Sequence, residues 1–490
     1  VLYHLYELGQ AAMSPARAVA HSTRIFMRNP FNPLSYTNMG RNAAAAAELL
    51  ERTTRRYKKP SFGIAHTSVR GVPAVITEET VWRRPFCNLI RFKKHLQDGS
   101  TPNEPRLLIF APVSGHFATL LRGTVEAMLP HADVYITDWQ DARFVPLHDG
   151  KFDLDDYIDY ATAMIELFEG DVHVMAVCQP AIPVLSAVAL MERAGNPAVP
   201  RSLIMKGGPI DTRVSQTAVN RLAEEKGINW FRRNVITSVP WPNPGHGRLV
   251  YPGFLQLTGF MMMNLDRHVN AHKDLFFHLV HGDGDSVEKH KEFYDEYLAV
   301  MDLAAEYYLQ TIDQVFVKHQ LAKGEMFHRG RLVDLTAISQ TALMTIEGEK
   351  DDITGLGQCE AALHLCTSLA SSKKLHYTQK GVGHYGIFNG SRYRNEIVPR
   401  IVGFMQDHDV RGNGLHWLMH RLAGEKEAVP ASPPALRPAP AGALQEVAVA
   451  AAAAEDMVRL SVLPAKPALR VRKSRALARM PKPNSKKRGH

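Results

Sequence analysis

Cys178 ends a short apolar run, Val172–Val177, and Gln179, Pro180 and an apolar helical pattern follow it at once. A thiol at a sharp strand-to-helix turn is where a nucleophile would sit. A free thiol has a pKa near ~8.5, so it needs a base to attack a carbonyl at neutral pH. His384, between Gly383 and Tyr385 just after the run Lys374–Gln379, is the candidate base. A carboxylate behind the ring would fix its tautomer and stabilise the imidazolium. Asp351 and Asp352, after the run Ala342–Glu347, compete for that role; Asp351 is preferred and Asp211 is the outside candidate. Each residue also has a plainer reading. Cys178 fits a buried free thiol, either aspartate fits a helix cap, and His384 fits a loop histidine bonded to the backbone.

A tetrahedral intermediate needs N–H donors for its oxyanion. The backbone of Gln179 is one source, and Val113 or Ser114, after the strand-like Arg106–Phe110, is the second. Ser114 carries a hydroxyl but lacks the strand–nucleophile–helix turn. The turn at Cys178 is itself unusual. Ala176 and Pro180 stand where glycines commonly relieve crowding, and a proline early in a helix costs little.

These residues need a sheet to position them. Strand-like and helical runs alternate from Arg106 to Asp211 and resume from Ala342. The alternation predicts βαβ units and a mostly parallel sheet with helices on both faces. Ligands of such sheets bind beyond the carboxyl ends of the strands. The order nucleophile, acid, histidine is that of the α/β-hydrolase fold. Residues 1–65 read as a helical extension, and 66–212 with 333–425 as the core. Residues 213–332 read as an inserted, mainly helical cap. Helices are expected over Lys289–Ala299, Asp302–Phe316 and Arg394–Gln406. Trp241 in a rigid Pro-rich loop, with Met261, Met262 and Met263, are candidates for contact with an apolar substrate, although ordinary core methionines fit as well.

Residues 426–456 are rich in Pro and Ala and read as a linker. Residues 457–490 carry 11 of the 58 Lys and Arg and no Asp or Glu. The rest of the chain then holds 47 basic against 49 acidic side chains, so the net charge of +9 belongs to a basic tail. Such a tail binds polyanions by counterion release, but no aromatic interleaving marks a specific nucleic-acid site. No run of 18 apolar residues suggests a membrane span, and the first residues do not read as a secretory signal. Four cysteines without a CxxC pair suggest a reducing cytoplasm. The histidines 268, 272, 278 and 281 lack metal-ligand spacing, HExxH is absent, and no GxGxxG follows a first strand, so neither metal nor organic cofactor is expected.

VCQPAIPVL around Cys178, FAPVSGHFATLLRGTVEAMLP, VYITDWQDARFVPL, KGGPIDTR, EGEKDDITGLGQ and GVGHYGIFNG occur in this order. Over about residues 1–410 the chain resembles the intracellular polyhydroxyalkanoate (polyhydroxybutyrate) depolymerases. The resemblance implies hydrolysis of amorphous poly(3-hydroxybutyrate) in cytoplasmic granules to 3-hydroxybutyrate and oligomers. It implies Cys178 as nucleophile, Asp351 as acid and His384 as base, with an acyl-thioester intermediate and the granule polymer and surface as partner. The related polyester synthases carry a glycine on each side of their cysteine, and the lack of those glycines favours hydrolysis. Synthase or acyltransferase activity, and a non-catalytic granule-surface protein, are the alternatives.

Overall fold

Apolar runs with no polar face must be covered on both sides, and three of them form the centre of the molecule. In a computed structural model, residues 2–100, 102–263 and 265–409 are described, without the side chains of Phe260, Met263, Arg267 and Lys289. The expected linker and basic tail lie outside the described residues. Nine strands form the main sheet: β1 (His66–Val69), β2 (Val72–Arg84), β3 (Cys87–Leu96), β4 (Arg106–Phe110), β5 (Asp133–Trp139), β6 (His173–Val177), β7 (Ser202–Lys206), β8 (Ala342–Gly348) and β9 (Lys374–Gln379). Their order is β1-β2-β3-β5-β4-β6-β7-β8-β9. The first three pair antiparallel, and β3 pairs antiparallel with β5. From β5 to β9 every pairing is parallel. This is a mixed, mostly parallel sheet of the α/β-hydrolase type. Every residue of β6, β7 and β8 is buried, as parallel strands under helices require, whereas β2 is largely exposed.

The order reverses between β4 and its neighbours β5 and β6, which opens a crevice beyond the carboxyl ends. Helices Leu2–Ala12 (α1), Ser14–Arg28 (α2) and Asn38–Thr54 (α3) precede the sheet, and Arg122–Met128 (α4), Leu154–Glu166 (α5) and Ala181–Arg193 (α6) make its crossovers. In α5, Asp153 and Asp156 form a reciprocal capping box that sets the start. Nearly all of α6 is buried, which explains its unbroken apolar sequence.

Between β7 and β8 the chain builds the inserted cap. It contains Ala218–Asn234 (α7), Gly253–Met263 (α8), Leu265–His281 (α9), Gly284–Tyr297 (α10) and Ala305–Thr311 (α11). A small antiparallel sheet of Thr237–Ser238, Leu249–Tyr251 and Leu303–Ala304 joins them. Three helix expectations shift. The helix expected at Lys289 starts earlier because Asp283 accepts the Ser286 N–H as its cap. The one expected at Asp302 starts at Ala305 because Leu303 and Ala304 pair with Tyr251 and Val250, and it ends in a π-helical segment, Ile312–Val317. The terminal helix is a π-helical turn, Tyr393–Ile397, running into Val398–Asp407. The return from the cap is pinned by Glu192 on α6, whose carboxylate accepts N–H groups of Ser339, Gln340 and Thr341 at 2.7–2.9 Å.

Candidate active site

Cys178 follows β6 directly and adopts φ +67°, a left-handed conformation that costs a non-glycine residue of order 1–3 kcal/mol. Two contacts hold the turn. The Cys178 N–H bonds to Lys206 O at 2.7 Å, and the Ala181 N–H returns to Cys178 O at 3.1 Å. Gly208 removes the remaining obstacle, since a Cβ there would lie 2.3 Å from the Ala181 side chain. Glycine relief at this turn is therefore supplied from the end of β7 instead of from within the turn. Cys178 is partly exposed, whereas Cys87, Cys359 and Cys366 are buried. Burial pushes those three thiols up, Cys366 to about 12, and leaves them protonated.

His384 and Asp351 meet beyond β8 and β9. The ring Nδ1 lies 2.7 Å from Asp351 Oδ2, with side-chain exposures of 5% and 1%. The other carboxylate oxygen accepts the N–H groups of Ile353 and Thr354 at 2.9 and 2.8 Å. Asp351 thus caps its own loop and orients the ring at once, while Asp352 is exposed. Asp211 is engaged by Arg213 at 2.8 Å. Burial disfavours the charged His384 ring, but Asp351 and the Cys178 thiol outweigh it and hold the imidazole well above its ordinary value. The ring has room because residue 207 is glycine. A Cβ there would stand 2.9 Å from His384 Cε1, and its φ of +56° also suits glycine.

The loop after β4 is shaped from above by the cap. Gly115, at φ +101°, accepts the Met301 N–H through its carbonyl at 2.7 Å. Gln256 of α8 sits where a Gly115 side chain would be. His116 is buried, its Nε2 lies 3.1 Å from Tyr297 O, and burial lowers its pKa to about 4. Val113 is buried beside it and Ser114 is half-buried. The sequence reading did not single out Gly207, Gly208, Gln256 or the cap strand at Met301. The doubled glycine after β7 was the available signal.

A second polar pair lies at the other end of the sheet. His173 Nδ1 and Ser202 Oγ, the first residues of β6 and β7, are 2.8 Å apart. This Ser-His dyad corrects the expected function as stated, a depolymerase working through a Cys-Asp-His triad and an acyl-thioester, and the thioester route is not carried further. The dyad is 1% and 0% exposed, and burial lowers the His173 pKa to about 4. It lies the length of β6, roughly 16 Å, from the Cys178 turn.

Of the proposed substrate contacts, Trp241 faces solvent and Met261 lines a surface groove. Trp241 is 78% exposed on the loop before Leu249, and that loop packs through Gly245 against the backbone of Ala142 and Arg143. Met261 lines a surface groove of about 620 Å³ with Leu49, Val269, Phe276 and Phe277. Met262 is half-buried on the same helix, and the Met263 side chain lies outside the described residues. Among the described residues, Glu347, Glu360 and His376 bring ligand atoms within 4.8 Å of one another. Glu347, however, already accepts the N–H groups of Gly357, Cys359 and Glu360, and both His376 nitrogens face threonine hydroxyls. That cluster ties the loop after Asp351 to β8.

Residues 207–409 match the family described as PHB de-polymerase C-terminus. A poly(3-hydroxyalkanoate) polymerase subunit PhaC from Haloferax mediterranei is 20% identical over 378 residues, covering 75% of this chain and 70% of that one. A putative lipase from Acinetobacter baumannii aligns over 69% of this chain and 93% of its own, at 12% identity and a TM-score of 0.37. A meta-cleavage product hydrolase from Pseudomonas fluorescens aligns over 70% and 97%, at 11% identity and a TM-score of 0.35. The sheet and the matched segment support a carboxylic-ester hydrolase of the α/β-hydrolase class with a depolymerase-like C-terminal part. No helix among the described residues is long and apolar enough to cross a membrane.

Proposed function

We propose that the chain hydrolyses ester bonds of a poly(3-hydroxyalkanoate)-type polyester at the end of the sheet that holds Asp351 and His384. The observation that carries this reading is the 2.7 Å hydrogen bond between His384 and Asp351, beyond the carboxyl ends of β8 and β9 and against Gly207. His384 accepts a proton from the attacking group and returns it to the leaving alcohol. Asp351 holds the ring and stabilises the imidazolium. The N–H groups of Gln179, Val113 and Ser114 receive the oxyanion. The depolymerase-like segment, 207–409, contains Asp351 and His384 but none of Cys178, His173 and Ser202.

The polymer is an apolar surface, so the protein has to meet it at a face. Phe31, Trp241, Val19 and Leu8 are 93%, 78%, 67% and 65% exposed and supply apolar contacts for a granule. Granule association in the cytoplasm belongs to the same proposal, with the tail beyond residue 457 as an auxiliary anchor to polyanion. A second reading, acyl transfer, is favoured by the polymerase relative. Release of 3-hydroxybutyrate from amorphous granules, measured beside coenzyme A release from 3-hydroxybutyryl-coenzyme A, separates the two. Monomer release that disappears in His384→Ala supports hydrolysis. Consumption of the thioester without monomer release would reject it.

A further inference from the structure

We infer that the cavity between the N-terminal helices and the cap is a binding site for a carboxylate carrying an apolar chain. Its volume is about 810 Å³, within the range of small-molecule sites. The wall is made by α1, the end of α3, the start of α8 and the segment that includes Leu298, Val300 and Asp302. Leu2, Leu5, Phe254 and Leu257 supply its apolar lining. The wall is built, not a loose gap. Tyr6 stacks on Phe254 at 4.1 Å, Tyr3 meets the same ring edge-on, and the buried Tyr3 hydroxyl donates to Asp302 Oδ2 at 2.6 Å.

Charged side chains line the cavity as well. Arg55 and Arg56, which also line the cavity, each give one guanidinium nitrogen to a carboxylate, Asp295 at 2.8 Å and Glu7 at 2.6 Å. Each also lies over a tyrosine ring, Tyr57 and Tyr6. A guanidinium has five N–H donors, so these pairs leave others for a ligand. Guanidiniums pair well with carboxylates. Asp302, beside Asp141, is already faced by Arg143 and Arg56. The acid group therefore takes the free donors of Arg55 or Arg56, and the chain runs along Leu5, Phe254 and Leu257.

The site stands apart from the catalytic group but touches its support. Phe254 and Leu257 face the cavity from α8, while Gln256 of the same helix packs against Gly115. A chain seated on α8 buttresses the loop that carries Val113 and Ser114. This assignment does not rest on the proposed polyester reaction, although a released hydroxyacyl oligomer has the right chemistry.

Isothermal titration of the full chain with sodium octanoate, and with octanol as the uncharged control, tests it. Octanoate is expected to bind, octanol at least tenfold more weakly. Arg55→Gln with Arg56→Gln should weaken octanoate at least tenfold, and Leu5→Trp, which fills the cavity from a half-open position, should abolish binding. His384→Ala should bind as the unaltered chain does. Equal affinity for octanol, or unchanged binding in both cavity variants, would overturn the assignment. Loss of binding in His384→Ala would assign octanoate to the catalytic group and overturn it too. Circular dichroism of each variant confirms folding, and the two cavity variants alter different elements, so misfolding of one leaves the other decisive.

Discussion

Lys206 is fully buried at the end of β7, and its ammonium nitrogen has no hydrogen-bond partner among the described residues. It lies 4.5 Å over the Tyr393 ring, which offers a cation only part of what water does. Burial lowers its pKa from 10.5 to about 7. Folding therefore favours the neutral amine, and the unfolded chain binds the extra proton between pH 7 and 10.5. Stability must rise with pH across that window, and the full cost applies below it. The gap is worth about 5 kcal/mol. Lys206→Met keeps most of the volume and removes the titration. Chemical denaturation at pH 6, 8 and 10 should show the variant more stable at pH 6, by up to about 5 kcal/mol, with the advantage shrinking toward pH 10. A difference between the two proteins that stays constant from pH 6 to 10 would refute this account of Lys206.

Other consequences follow from the same contacts. Gly207→Ala places a Cβ 2.9 Å from His384 Cε1 at a positive φ. Ester hydrolysis should fall by about 100-fold while circular dichroism shows the fold retained, since misplacing a catalytic group by about 1 Å has that order of effect. Asp351→Asn keeps an oxygen for the Ile353 and Thr354 N–H groups but removes the charge that raises the His384 pKa. The acidic limb of its pH–rate profile should move to lower pH, and kcat should fall by about 10⁴-fold. Tyr3→Phe removes the hydroxyl that donates to buried Asp302. It should cost about 1–3 kcal/mol in thermal or urea unfolding.

Much of the sheet was legible because its strands have one physical signature. RLLIF, SLIMK and ALMTIEG are buried almost throughout, so apolar side chains dominate them. Cys178, Asp351 and His384 were placed from the ends of β6, β8 and β9. How the turn at Cys178 is relieved could not be read, because Gly207 and Gly208 act on residues that precede them by some thirty positions or follow far along the chain. The cap was harder still. Leu303 and Ala304 carry no strand pattern of their own, and only pairing with Leu249–Tyr251 makes them one. The His173–Ser202 pair was invisible for a similar reason, since strand register alone brings the two together. Met261 and Trp241 were chosen for polarity, which says that a side chain seeks a partner but not which one.

The central claim is that ester chemistry takes place at the end of the sheet that holds His384. The direct measurement is 3-hydroxybutyrate release from amorphous granules by His384→Ala and Ser202→Ala, with each variant first shown to be folded. The account predicts that release is lost in His384→Ala and persists in Ser202→Ala. Retained release in His384→Ala together with loss in Ser202→Ala would contradict it and move the chemistry to the dyad at the other end.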